Sequence, residues 1–312
     1  MYADPATDPR VSLFEDGIMA NTLVQDLIEA GIHFGQRSSG WNPKMAPYIY
    51  GKRNGIHIID IKETIKGLLL AKKFIAKTVS DGKDICFVGT KRQAKSVLET
   101  RVPDVKMHWV TERWLGGTLT NFRTIRSRLK RMIELEGIEA NDNFASYSKK
   151  MESQLRREMK KIKRNLDGIR NMEKLPGALV VIDVRHEATA LQEARKLGIP
   201  TICLIDTDGD PEAADIPIPG NDDSMRSIDV VVRELCLACA EGRQMRQGTD
   251  QATTGAAEGA AQGAAGEGQQ RPRRSRRPSQ YSASAGGPTE GGSGDGEETR
   301  DQPRPAPSPA SA

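Results

Sequence analysis

The chain lacks most of what would announce a particular chemistry. Its 312 residues include four cysteines, Cys86, Cys203, Cys236 and Cys239, too few for a disulfide framework. Cys236-Leu-Ala-Cys239 is a single CxxC on an apolar stretch, and a structural zinc site needs a second pair. The expectation is buried core thiols and no metal. No 18-residue apolar run occurs, so no segment reads as spanning a membrane. The opening, MYADPATDPR, lacks the basic-then-apolar order of a secretory signal. These features describe a reduced, soluble, intracellular chain. No GxGxxG is present, and Gly89-Thr90-Lys91-Arg92 lacks the glycine spacing of a P-loop. Asp206-Thr207-Asp208-Gly209-Asp210 looks like a cation loop, but Pro211 and Pro217 stand where an EF-hand needs Gly and Glu. His186-Glu187 has no second histidine four residues on, so it is not a zinc-protease helix. No cofactor is expected. Aromatics make up 4% and mean hydropathy is −0.54, so part of the chain is expected not to fold.

Strong net charge is also missing. Lys and Arg total 46 against 42 Asp and Glu, a balance of only +4. The distribution is more telling. Residues 121–175 hold fifteen Lys and Arg against eight Asp and Glu, a local excess of seven that is larger than that of the whole chain.

What is present is a rhythm. Thr22 to Ala30 is amphipathic and closes on Gly31. Residues 47–50 and 56–61 read as short strands joined by a turn containing Asn54-Gly55, the strongest hairpin signal in the chain. Glu63 to Ser80 is helical, with Ile65, Leu68, Leu69, Phe74, Ile75 and Val79 as its buried stripe. Apolar strands at 84–89, 106–111, 178–184 and 200–206 then alternate with helices at 91–101, 187–197 and 223–241. Near-continuous apolar strands separated by helices imply a parallel sheet covered on both faces. Right-handed crossovers make it a flavodoxin-like, doubly wound α/β sandwich of about five strands.

The segment 121–175 interrupts that rhythm. Phe122, Ile125, Leu129 and Met132 step by 3, 4 and 3, and Leu155, Met159, Ile162, Leu166 and Ile169 by 4, 3, 4 and 3. Two such seams around EANDNFAS (139–146) predict an antiparallel coiled-coil helical hairpin inserted in the domain. The hairpin is either an arm for a partner or a solvated spacer; its basic excess favours the arm. Residues 1–20 are expected to be a disordered or spurious N-terminal extension, 21–242 the folded α/β domain, and 243–312 a disordered low-complexity tail. Within that tail, 271–277 (RPRRSRR) is a cationic knot nearly cancelled by acids further on.

Between the 106–111 strand and the hairpin lies Arg113-Trp114-Leu115-Gly116-Gly117-Thr118-Leu119-Thr120-Asn121. Trp114 offers a stacking face, Arg113 a planar fork of donors, and the glycines allow close backbone approach. Asn121 suits a helix N-cap. Such a loop suits folded nucleic acid and suits catalysis poorly. A glycine turn around a half-buried tryptophan explains the same residues without a partner. Residues 30–61 (AGIHFGQRSSGWNPKMAPYIYGKRNGIHIIDI), 87–92 (FVGTKR), the loop just quoted and 219–223 (PGNDD) come in an order and at intervals that resemble the bacterial or organellar form of the universal small-subunit ribosomal protein two family. The resemblance runs from about Thr22 to Gly242. One departure is visible: Gln36 stands where the bacterial family usually has a second histidine.

That resemblance implies a non-catalytic structural constituent of the small ribosomal subunit in the cytoplasm, not a homo-oligomer in its working state. Its partners would be small-subunit ribosomal RNA and other small-subunit ribosomal proteins, including the large messenger-binding one. On the matching positions, Trp41, Asn42 and Lys44 would shape the first loop and Arg53 and Asn54 the hairpin tip. Lys91 and Arg92 would clamp a phosphate, with a plain helix start as the alternative. Arg113, Trp114, Gly116, Gly117 and Asn121 would form the central loop, and Arg123, Arg126, Lys160, Lys163 and Arg164 would line the arm. Two other readings stand beside it: a domain binding a phosphorylated ligand through Lys91, Asp183 and Asp206 at the strand ends, and a free coiled-coil adaptor.

Overall fold

The computed structural model describes residues 22–142, 144 and 147–263. The expected extension 1–20 lies outside them, as does the tail beyond residue 263. Contacts close within 1–261; the remainder, 262–312, is a separate unit of which only the end of a helix is described.

Helix α1 (22–30) ends at Gly31, whose φ of +77° is the left-handed turn glycine adopts without strain. Strands β1 (Phe34–Arg37), β2 (Ile49–Arg53) and β3 (Ile56–Ile59) form an antiparallel sheet in the order β1-β3-β2. Asn54 and Gly55, at φ +51° and +81°, make the tight turn between β2 and β3 that the sequence predicts. Strand β1 is an addition to the sequence-based expectation, because FGQR has no alternating apolar pattern to mark it.

Next come α2 (Ile61–Ser80), β4 (Ile85–Val88), α3 (Arg92–Arg101), β5 (His108–Val110), α4 (Phe122–Asp142), α5 (Lys149–Leu166), β6 (Ala178–Ile182), α6 (Ala188–Leu197), β7 (Thr201–Ile205), β8 (Ile216–Pro219) and α7 (Met225–Gly263). Strands β4 to β8 form an all-parallel five-stranded sheet in the order β5-β4-β6-β7-β8. In chain order this is second, first, third, fourth, fifth, the flavodoxin-like order. The fifth strand lies in a segment that reads as loop in the sequence. Pro217 and Pro219 hide it, since proline gives no ladder donor; the strand is tolerated because it sits at the sheet edge.

Side chains alternate across the sheet, so each strand feeds two cores. Phe87, Val180, Ile182, Ile202 and Leu204 pack with α2, α3 and α7 on one face. Cys86, Val88, Leu179, Val181, Cys203 and Ile205 pack with α6 and the roots of α4 and α5 on the other. All four cysteines are free and buried, and burial pushes the thiols of Cys86 and Cys236 up to about 12, so they are inert packing groups. Helix α2 is capped by Asp60, whose carboxylate accepts the Lys62 amide at 2.9 Å. Its buried face is Thr64, Leu68, Ala71, Ile75, Thr78 and Val79; Leu69, assigned to that stripe from the sequence, is 54% exposed. Helix α7 passes position 242, the expected end of the folded domain, and continues to Gly263.

Helix α2 crosses β8 closely enough that a Cβ on Gly67 would lie 2.5 Å from the Pro217 carbonyl oxygen. Alanine normally favours a helix by about 1 kcal/mol over glycine. We expect the opposite here: Gly67→Ala should destabilise the domain by about 1–3 kcal/mol, read as a lower urea midpoint at unchanged slope. A raised midpoint would show that α2 does not rest on this strand.

Candidate nucleic-acid interface

In a parallel sheet all strands end at one edge, and the loops leaving that edge gather there. Here they are 89–92, 111–121, 183–187, 206–210 and 220–223. Several of the residues singled out above therefore belong to one edge, although they are spread over much of the sequence.

The loop between β5 and α4 is organised by a residue that sequence reading missed. Glu193 projects from α6 and is only 6% exposed. One of its oxygens accepts the Trp114 indole N–H at 3.1 Å and the Gly117 amide at 2.7 Å. The other accepts the amides of Leu119 and Thr120 and the Thr120 hydroxyl, at 3.0, 3.1 and 3.1 Å. Gly117 adopts φ +91° to aim its amide inward. Trp114 is consequently buried, at 8% exposure, and its ring is not a free stacking face. It is an anchor of the loop, because its N–H has a carboxylate to reach and its ring an apolar core to fill. What remains outward is Arg113, Gly116, Thr120 and Asn121. The Asn121 side chain accepts the Thr124 hydroxyl at 2.7 Å where α4 begins.

Lys91 also turns inward. Its ammonium lies 2.8 Å from Asp222, 2.5 Å from Asp223 and 3.5 Å from Asp183. Burial opposes its charge, but the hydrogen bonds it donates to Asp222 and Asp223 outweigh this and raise its pKa. Burial and the Asp183 charge push the Asp222 carboxyl up to about 7 despite Lys91, and burial pushes Asp206 up to about 6. Asp206, Asp222 and Asp223 each offer an oxygen within 4.8 Å of the others, a spacing able to hold a cation. Lys91 is the positive charge placed there. Three carboxylates around one ammonium, with Asp206 beside them, disfavour a phosphate, which removes the support for a phosphorylated-ligand pocket built on Lys91, Asp183 and Asp206. Arg92, next in sequence, lies at the start of α3 and has no ion-pair partner among the described residues.

Other expected residues divide in the same way. Trp41 packs against the buried His57 ring, centroids 5.0 Å apart and planes tilted by 37°. Asn42 caps the short 3-10 helix Pro43–Tyr48 by accepting the Lys44 amide at 3.1 Å, and its own backbone N–H donates to the Thr207 carbonyl. Lys44 pairs with Asp210 and Glu212. Arg53 and Asn54 are exposed at the β2–β3 tip. On the helices, Arg123 and Lys160 are exposed, Arg126 donates to the Glu173 carbonyl at 3.2 Å, and Lys163 lies 3.7 Å from Glu136. Arg164 grips Glu112 at 2.6 and 2.7 Å, tying α5 to the central loop.

The chain has known relatives. The family model for ribosomal protein S2 matches residues 27–242. The chain is 55% identical over 229 residues to small ribosomal subunit protein uS2 of Rhodopirellula baltica, covering 73% of this chain and 88% of that one. It is 46% identical over 236 residues to small ribosomal subunit protein uS2c of Rhodomonas salina, covering 76% and 97%. The chain belongs to the ribosomal protein S2 family.

In this S2-family chain, Gln36 sits at the acidic strand ends. Its amide nitrogen lies 3.5 Å from an Asp206 oxygen and also donates to Asp223, and its backbone N–H donates to the Thr207 hydroxyl at 2.9 Å. A neutral donor thus occupies the position beside the acidic cluster and joins the small sheet to the strand ends.

The buried carboxyls make stability depend on pH in two opposite senses. Burial works to raise the Glu193 pKa, but the Gly117 and Thr120 amides, the indole and the Leu119 amide outweigh it and hold the carboxyl below its usual value. Its stabilisation is present above the unfolded value, about 4.3, and is lost as pH falls through the folded one. Glu193→Ala should cost about 3 kcal/mol or more by leaving buried donors unpaired, and Glu193→Gln less; an unchanged urea midpoint for the alanine variant would remove the loop's anchor. Asp206 and Asp222 are raised instead, so the folded state keeps protons that the unfolded state has released above about pH 4. Stability should fall as pH rises from about 4 through the folded values of about 6 and about 7, and Asp222→Asn should flatten that slope. An identical slope in the variant would contradict this.

Proposed function

We propose that this chain is a structural constituent of the small ribosomal subunit that binds ribosomal RNA and neighbouring ribosomal proteins and catalyses no reaction. The observation that carries this is the match to the ribosomal protein S2 family over 27–242, with relatives named as small ribosomal subunit proteins. The same span supports the division into an extension 1–20, a ribosomal domain 21–242 and an appended tail. Among the partners are the small-subunit RNA and the large messenger-binding protein, and the working state is one copy in the subunit; the resemblance supports this.

The physics of binding suits the geometry. RNA backbone recognition rests on fixed cations and depends steeply on salt. Arg53, Asn54, Arg92, Arg113, Gly116, Asn121, Arg123, Arg126, Lys160, Lys163 and Arg164 form the contacting set. Trp41, Asn42, Lys44, Lys91, Trp114 and Gly117 hold the loops in shape beneath them. Helices α4 and α5 form an antiparallel coiled-coil arm. Its support is the buried series Ile125, Leu129, Met132 and Leu135 on one helix and Leu155, Ile162 and Leu166 on the other. Ion pairs across the two, Arg131 with Glu158 and Glu136 with Lys163, agree with it.

Sedimentation of a lysate tests the reading: the chain should travel with small subunits at low salt and be released as salt rises. A chain that stays free at low salt contradicts it. Charge reversal at Arg123 and Lys160, both exposed and without an ion-pair partner among the described residues, should reduce incorporation severalfold while leaving the thermal midpoint of the isolated chain within about 2 °C; undiminished incorporation would remove the arm from the interface.

A further inference from the structure

Helices α1 and α7 run in opposite directions: the Ser224 hydroxyl donates to the Ala30 carbonyl at 3.2 Å, and Arg233 donates to Asp26 at 2.7 Å. Helices α2 and α7 run in the same direction. Lys72 donates to Glu234 at 2.8 Å, and a Cβ on Gly242 would lie 2.5 Å from the Ala76 carbonyl oxygen. One further turn of α1 beyond Asp26, about 5.4 Å, therefore brings Thr22 level with Leu237 and with the part of α2 around Lys73. There the two helices share an outer surface. Lys62, Lys66, Leu69, Leu70, Lys73 and Lys77 follow at steps of three and four, which puts them on one face of α2, away from its buried stripe. Leu237 follows Glu234 by three residues and so shares its side of α7. Leu70 is 56% exposed and Leu237 48%. Lys66 pairs with Glu63, whereas Lys62, Lys73 and Lys77 have no ion-pair partner among the described residues. Three exposed leucines thus stand among four lysines.

The residues before Thr22 lie outside the described set and outside the family match, which begins at 27. They hold Asp4, Asp8, Glu15 and Asp16 against a single cation, Arg10, and the apolar side chains Val11, Leu13, Phe14, Ile18 and Met19. We propose that residues 11–19 of this chain bind the outer face of α2, with Leu13, Phe14 and Ile18 against Leu69, Leu70 and Leu237, and Glu15 and Asp16 among the lysines. Covering the leucines supplies the affinity, and the acids fix the place. The segment is tethered beside its site, so modest affinity suffices. Reach is ample: the eight residues from Phe14 to Thr22 span up to about 27 Å, and neighbouring helices lie only about 8–10 Å apart. The groove between α1, α3 and α7 is the other surface within reach, but its four acids outnumber its three arginines. A phosphate backbone would answer the lysines and leave the leucines uncovered. The contact stands whether or not the chain binds RNA.

The test uses the purified full chain with benzoylphenylalanine in place of Phe14. Ultraviolet light should join position 14 to the peptide holding Leu69 and Leu70 or to the one holding Leu237, within one chain and to the same extent on dilution. Crosslinks confined to other peptides, or formed only between two chains, overturn the proposal. Glu15→Lys with Asp16→Lys should abolish the crosslink, and adding Lys73→Glu and Lys77→Glu should restore it. In the otherwise native chain the same two lysine substitutions should make acetylation of Lys62, Lys73 and Lys77 severalfold faster, while Lys130, exposed on α4, reacts as before. Equal acetylation of the α2 lysines in the two chains overturns the proposal as well.

Discussion

One carboxylate sets the shape of the surface. Glu193 accepts five hydrogen bonds from the 114–120 loop, and with both oxygens occupied it fixes a stretch that has neither strand nor helix of its own. Without it, those five donors would lose their acceptor and the glycines would leave the backbone free to wander. With it, Arg113 and Asn121 hang from a rigid frame, and α4 starts from a defined point. A fixed array of donors and cations loses little entropy on meeting a polyanion, which is the advantage of assembling the loop before binding.

The charges are divided by the same logic. Acids that would repel RNA are turned inward at the strand ends and answered by Lys91 and by the neutral amide of Gln36. Glu112 is held by Arg164 and Lys95, and its carboxyl is lowered chiefly by the Lys95 and Arg164 hydrogen bonds. Cations such as Arg53, Arg92, Arg113, Arg123 and Lys160 are left outside. A net charge of +4 conceals this separation, since the total counts the buried acids equally.

Much of this is legible in the sequence, and the rest is hidden for physical reasons. Apolar runs such as ICFV, ALVVI and TICLI mark the central strands because strands buried on both faces need no polar alternation. Strand β8 is concealed by its prolines and β1 by its lack of an alternating apolar pattern. Trp114 reads as either a stacking face or a half-buried ring, because a tryptophan among glycines and cations is not placed until its acceptor is known. Glu193 looks like an ordinary solvent-facing helix residue. The available signal is its position three residues after Ala190 and one before Ala194, on the side of α6 that packs into the core. A lone acid beside an apolar stripe implies donors waiting elsewhere in the chain, and a loop of small residues with open amides is where they lie.

The central claim is that the preassembled loop lies against ribosomal RNA. A Cβ on Gly116 would meet nothing within 4 Å, and the four native thiols are buried, so Gly116→Cys gives a single reactive site for a tethered iron chelate. In small subunits reconstituted with that variant, hydroxyl radicals should cut the small-subunit RNA in a tight cluster around one place. Cleavage no stronger than from a chain lacking the added cysteine would contradict the account.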